Sequence, residues 1–154
     1  TLDLTGSHLI LGPTGVGKTD LAYAWLQTIA SGDPRKTIAA YPWGEVLGAL
    51  RASYNAPRGE DRQATSIIEA LGTAHIAFLD NLGAEKVTAA NLDWLREELF
   101  GIVDRRYAWW RQTIFTTDIN PKQLEDYLGP RIAGRIREMC QVTVLVGGDH
   151  RGRK

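Results

Sequence analysis

The segment Gly12-Pro13-Thr14-Gly15-Val16-Gly17-Lys18-Thr19 constrains this chain more than any other stretch, because it satisfies the pattern G-x-x-x-x-G-K-[ST]. Each position answers a physical requirement. Glycines admit backbone conformations that a side chain forbids, so successive N–H groups can turn inward onto phosphate oxygens. A helix beginning near Gly17 would add the positive end of its dipole to the same anion. The Lys18 ammonium would neutralise β- and γ-phosphate charge, and the Thr19 hydroxyl would ligate Mg²⁺. The competing explanation is a chance glycine-rich turn, which average residue frequencies allow in about one per cent or fewer of chains this long. Context decides between them. The loop follows a short apolar run at 8–11 and opens a stretch at 18–29 whose Leu21, Ala22, Trp25, Leu26 and Ile29 recur at helical spacing. The expected ligand is a nucleoside triphosphate, ATP with Mg²⁺.

Strand-like and helix-like stretches alternate along the rest of the chain. Apolar runs at 37–41, 75–79, 112–116 and 142–146 read as further strands. Helical spacing marks 45–53, 61–71 and 91–107, and two short helices are expected at 121–127 and 131–138, with Pro121 and Pro130 at their starts. Repeated strand–helix–strand units imply a parallel sheet with helices on both faces, an α/β fold. Ligands in such sheets bind beyond the carboxyl ends of the strands. The loop after the first strand and Asp80 at the end of the third share that rim.

Composition narrows the alternatives. At 154 residues one domain is expected. Lys and Arg total 18 against 18 Asp and Glu, which argues against a generic polyanion-coating protein while leaving room for local basic patches. The single cysteine, Cys140, cannot form an internal disulfide and suits a reducing cytoplasm. No apolar run approaches the ~20 residues needed to cross a bilayer, so no membrane partner is expected. The chain starts at Thr1 rather than Met, which suggests an excised domain with a partner-binding region upstream.

A second acidic site follows the third apolar run. Ile76-Ala77-Phe78-Leu79-Asp80 closes on a carboxylate placed to hold Mg²⁺, with an Asp that caps the next turn as the lesser alternative. The next residue is Asn81, where hydrolysing relatives commonly place a second acid. A neutral amide orients water but cannot take its proton. Glu85 is a distant substitute. Nucleotide binding is therefore expected, and fast hydrolysis is not.

These residues resemble the AAA+ ATPase domain of bacterial and phage helicase loaders, DnaC and DnaI, and of the related transposition helper IstB. The resemblance rests on Gly12 to Thr19, Leu79-Asp80-Asn81-Leu82-Gly83-Ala84-Glu85, Ile102-Val103-Asp104-Arg105-Arg106-Tyr107, and Leu128-Gly129-Pro130-Arg131-Ile132-Ala133-Gly134-Arg135. The closing stretch from Val146 to Arg153 also fits. It implies a P-loop NTPase of AAA+ type over residues 1–154, with a five-stranded parallel sheet in the order 5-1-4-3-2 sandwiched by helices.

The resemblance also implies roles. Asp118 falls at the sensor 1 position, where the family usually has Asn. Asn120 is a nearby substitute, and Asp118 capping the following helix is the plain alternative. Arg131 and Arg135, four apart, share a helix face, and the resemblance makes Arg135 the finger that reaches a neighbour's nucleotide, with Arg131 an interface contact and Arg137 close enough to compete. Arg151 matches a late arginine that acts as sensor 2. Arg51, Tyr54, Arg58 and Arg62 lie where such loaders meet single-stranded DNA, although exposed arginines on an amphipathic helix explain them equally well. Trp109-Trp110, flanked by Arg105, Arg106 and Arg111, forms a second candidate surface, with Tyr107 and one Trp expected to pack under the fourth strand.

The catalytic set so implied is Lys18, Asp80, Asn81, Asp118 and Arg135. The expected partners are a hexameric replicative helicase and single-stranded DNA, with nucleotide-dependent self-association and weak or stimulated ATP hydrolysis acting as a switch. Three other readings stand beside it: an IstB-like transposase helper, a small-molecule phosphotransferase or prenyl transferase, and a nucleotide-binding scaffold that never hydrolyses. The paired arginines speak against the transferase, and Asn81 favours the scaffold.

Overall fold

The computed structural model describes residues 3–57 and 62–148. In chain order the elements are β1 (Ser7–Leu11), α1 (Lys18–Gly32), β2 (Ile38–Pro42), α2 (Trp43–Asn55), α3 (Arg62–Thr73), β3 (Ile76–Asp80), α4 (Ala89–Ala108), β4 (Gln112–Thr117), α5 (Pro121–Met139) and β5 (Cys140–Val144). All strand pairings are parallel, in the order β2-β3-β4-β1-β5, which is the expected 5-1-4-3-2 read from the other edge. No helix among the described residues is long and apolar enough to cross a membrane.

Period-two alternation divides the sheet residues between two cores. Ile10, Ile76, Phe78 and Ile114 face α1, where Ala22, Trp25 and Leu26 cover them. Leu9, Leu11, Ala77, Leu79 and Phe115 face the opposite way, onto a larger core built by α2, α3, α4 and α5. Because both faces are covered, the three central strands are buried on both sides along most of their length, including the polar Ser7, His8, Thr113, Thr116 and Thr117. This double burial sets β1, β3 and β4 apart from the edge strands β2 and β5, whose residues are partly exposed.

Most element bounds shift by one to three residues from those expected, and two of the differences have a structural reason. The helices at 121–127 and 131–138 form one element, α5, bent at Gly129, whose φ of 77° and ψ of 162° interrupt the helical backbone. A glycine is required there because side-chain-bearing residues avoid that region. The last strand starts at Cys140, two residues early, because its register pairs Ser7 with Cys140 and Leu11 with Val144. Val142 and Val144 are exposed on this edge strand, and Val146 is exposed beyond its end. Their side chains do not report the pairing.

A third difference concerns the core. The expected Trp packing under β4 does not occur: Trp109 and Trp110 are both exposed. Arg106 takes the interior place, fully buried. Its guanidinium donates to Thr113 Oγ1 (2.7 Å), Leu71 O (2.6 Å), Ala74 O (3.0 Å) and Gln112 O (2.6 Å), tying α4 to the end of α3 and the start of β4. Burial, and then the charge of Arg111, lowers its pKa to about 10, so it stays protonated at neutral pH.

Candidate phosphate-binding site

The loop between β1 and α1 lies at the carboxyl edge of the sheet. Gly17 precedes α1 in a left-handed conformation (φ 93°), and its carbonyl accepts from Leu21 N at 3.0 Å, opening the helix. Gly12 is required for a different reason. The chain leaving β5 crosses the loop, with Leu145 N donating to Leu11 O at 2.7 Å. A Cβ on Gly12 would stand 2.5 Å from Leu145 O. The buried Lys18 ammonium donates to Gly12 O and Pro13 O, both at 2.8 Å, bracing the loop from inside.

Beside the loop lies a cleft of about 530 Å³, lined by Thr14, Gly15, Gly17, Lys18, Thr19, Asp20, Asp80, Asn81, Thr116 and Asp118. Residues from the ends of β1, β3 and β4 thus converge although up to 104 positions separate them. Thr19 Oγ1 donates to Asp80 Oδ1 at 2.9 Å, and Thr116 Oγ1 donates to the same oxygen at 2.5 Å. Asp80 is therefore not a turn cap; its carboxylate is aimed by two hydroxyls across the cleft floor. Thr116 was missed by sequence reasoning. Its signal is a hydroxyl closing the apolar stretch Ile114-Phe115, but only the β3–β4 register (Leu79 opposite Phe115) brings it to Asp80.

Asn81 has a left-handed backbone (φ 61°), and its N–H donates to Thr116 Oγ1 at 2.8 Å. Asn tolerates that conformation better than most residues, so the amide suits the backbone as well as the chemistry. Asp118 accepts from Thr14 Oγ1 at 3.0 Å and so faces the loop. It does not cap α5. Asn120 does, accepting from Gln123 N at 2.9 Å in a capping box, which commits the Asn120 side chain elsewhere. Glu85 does not line the cleft; its carboxylate lies over Gly44, at the start of α2.

The donor set suits a phosphate chain and a hard cation. Thr19 and Asp80 supply oxygens of the kind Mg²⁺ prefers. Among the described residues no cluster of three or more His, Cys, Asp or Glu could hold a metal unaided. A cation at Thr19 and Asp80 would need phosphate and water oxygens to complete its shell, as Mg²⁺ carried by a nucleotide has.

The arginines lie elsewhere. Arg131 stacks over the Phe100 ring (4.0 Å) and Arg135 over the Tyr107 ring (4.1 Å), both on α4, and Arg135 also pairs with Asp104 at 3.2 Å. Neither lines the cleft of its own chain. Arg137 instead pairs with Glu125 at 3.2 Å. On α2, Arg51 and Tyr54 are exposed one turn apart, the Tyr54 ring edge-on to Trp94 at 5.7 Å, and exposed Arg62 opens α3. Arg58 and Arg151 fall outside the described residues.

No family model matches the chain, and no curated protein does. Solved structures do. A DnaC helicase loader superposes with a TM-score of 0.74 at 24% identity, over 95% of this chain and 82% of that one. DnaI follows at 0.71 and 22%, over 94% and 75%. The replication initiator DnaA, bound to AMPPCP and single-stranded DNA, superposes at 0.72 and 17%, over 93% of this chain but 41% of that one. This chain thus spans less than half of the initiator. The chain shares the fold of these DnaC, DnaI and DnaA structures.

Proposed function

We propose that the chain is the ATP-binding AAA+ module of a replicative helicase loader, which uses nucleotide state to control its grip on helicase and single-stranded DNA. The observation that carries this reading is the convergence of Thr19, Asp80 and Thr116 beside a Lys18-braced glycine loop. Loop N–H groups and Lys18 would bind the triphosphate, while Thr19 and Asp80 would hold its Mg²⁺. Asp118, hydrogen-bonded to Thr14 of the loop, would respond to the γ-phosphate. With Asn81 in place of a second acid, hydrolysis is weak or depends on a partner. Arg135, with Arg131 beside it, would complete the site of a neighbouring subunit. Arg51, Tyr54 and Arg62 would contact the DNA strand. The likeness to DnaC, DnaI and DNA-bound DnaA supports this assignment at the level of fold.

Titration with a fluorescent ATP analogue and Mg²⁺ tests it. Binding is expected in the intact chain and is expected to be lost in Lys18→Ala. Undiminished affinity in that variant would overturn the reading. Recovery of a transposase rather than a hexameric helicase from cell extracts would move the protein to the transposition-helper class with its nucleotide site unchanged.

A further inference from the structure

The turn from α4 into β4 lies at the opposite edge of the sheet from the phosphate cleft, and nothing in the cleft uses it. α4 ends there in a double hydrogen-bonded stop: Arg111 N donates to Arg106 O at 2.9 Å and Trp110 N to Tyr107 O at 3.2 Å. This is a Schellman motif, whose left-handed residue is usually glycine. Here that residue is Trp110, with φ of 51°. A bulky side chain is disfavoured in that conformation. The helix stop alone would be better made by glycine, so the fold supplies no reason for an indole.

The indole is also held in water. Trp110 is 85% and Trp109 58% exposed. Tyr107 stacks on Trp110 with ring centres 6.3 Å apart and planes 23° from parallel, which orients it. Arg111 lies over Trp109 at 5.4 Å, and its buried Nε has no hydrogen-bond partner. Among the described residues no carboxylate pairs with Arg111. Behind it, Arg106 bonds only neutral oxygens. The nearby acids are engaged otherwise, Glu69 with Arg105 and Glu138 with the Tyr107 hydroxyl. A niche of about 160 Å³ opens among Tyr107, Trp110, Arg111 and Met139, below the ~300 Å³ where pockets for drug-sized ligands begin and suited to one planar ring.

Two water-facing indoles beside an uncompensated guanidinium suit a chain of alternating planar rings and anions. An apolar partner would leave Arg111 unpaired, and an acidic peptide has no use for stacked indole faces. We propose that Trp109, Trp110 and Arg111 form a contact for single-stranded nucleic acid, with bases stacking on the indoles and a phosphate meeting Arg111. The contact is separate from the α2–α3 surface and from the cleft, which lies about 17 Å away along β4 at ~3.3 Å per residue.

Fluorescence anisotropy with a labelled oligothymidylate of about twenty nucleotides tests it on the whole chain. Trp110→Gly is expected to raise the dissociation constant about tenfold, with a melting temperature equal to or above that of the parent and ATP-analogue binding intact. Arg111→Gln is expected to flatten the slope of log affinity against log salt by about 0.7. Unchanged binding and salt slope in both variants would overturn the proposal, as would no binding by the parent. Displacement of the oligonucleotide by an equal charge of polyglutamate would assign the turn to an acidic protein segment instead, and a Trp110-dependent dimer in sedimentation would assign it to self-association. An Arg51→Ala/Arg62→Ala variant separates the two surfaces: loss of binding there, with none in Trp110→Gly, sinks this inference and leaves the α2–α3 reading standing.

Discussion

Among the described residues two cations are buried, Lys18 and Arg106, and each donates to backbone carbonyls. Burial of a charge is tolerable only when its donors are all directed at acceptors. Arg106 meets this condition because its rigid fork reaches Leu71, Ala74 and Gln112 together with the Thr113 hydroxyl. Arg106→Ala would strand those oxygens in the interior, and a loss of about 3 kcal/mol or more is expected in urea unfolding. A loss below about 1 kcal/mol would mean that water reaches the carbonyls at little cost. Arg106→Lys should recover less than half, since an ammonium has three donors and no fork. At Lys18 the bonded carbonyls belong to the loop itself, so removing the ammonium should cost ligand affinity rather than fold.

α5 joins two helical pieces at Gly129, and the joint determines where its arginines point. The first piece begins with the Asn120–Gln123 capping box; the second lays Arg131 and Arg135 on the aromatic rings of α4. Gly129→Ala forces a side chain into a backbone region that nearly excludes it, with the new Cβ 3.3 Å from Arg96 Nε. The expected cost is about 1–3 kcal/mol in thermal or urea melts. Gly134→Ala is the control within the same element. Its position is helical and a Cβ there meets nothing within 4 Å, so stability should rise by up to about 1 kcal/mol. Equal responses at the two glycines would show that the bend is not what Gly129 supplies.

Across the whole molecule, the cleft gathers the ends of β1, β3 and β4, three strands that also carry the central core. A ligand bound there clamps the sheet and must stabilise the fold by mass action. At a hundredfold excess over its dissociation constant, ATP with Mg²⁺ should contribute about 2.7 kcal/mol. For a domain of this size that is a rise of about 5–10 °C in melting temperature. A thermal scan of the parent and of Lys18→Ala checks this: the parent should shift and the variant should not. A shift of equal size in both would place nucleotide binding somewhere other than the loop.

The sequence by itself determined the features that are local in chain and periodic in pattern. The glycine loop, the amphipathic α1, the apolar central strands and Asp80 at a strand end need only a few consecutive residues to declare them, because backbone freedom and burial periodicity are short-range properties. Glycine at 129 was legible in its motif but not as a bend, since its dihedrals depend on how α5 packs on α4. Tertiary structure alone decided which groups meet: Thr116 and Thr19 on one oxygen of Asp80, Thr14 with Asp118, Arg106 inside and both indoles outside. Composition predicts that Trp is buried and Arg exposed. Here the interior space under β4 is ringed by free carbonyls of α3 and β4, and only a fork of N–H donors can satisfy them. That choice depends on oxygens dozens of residues away, which no local pattern records.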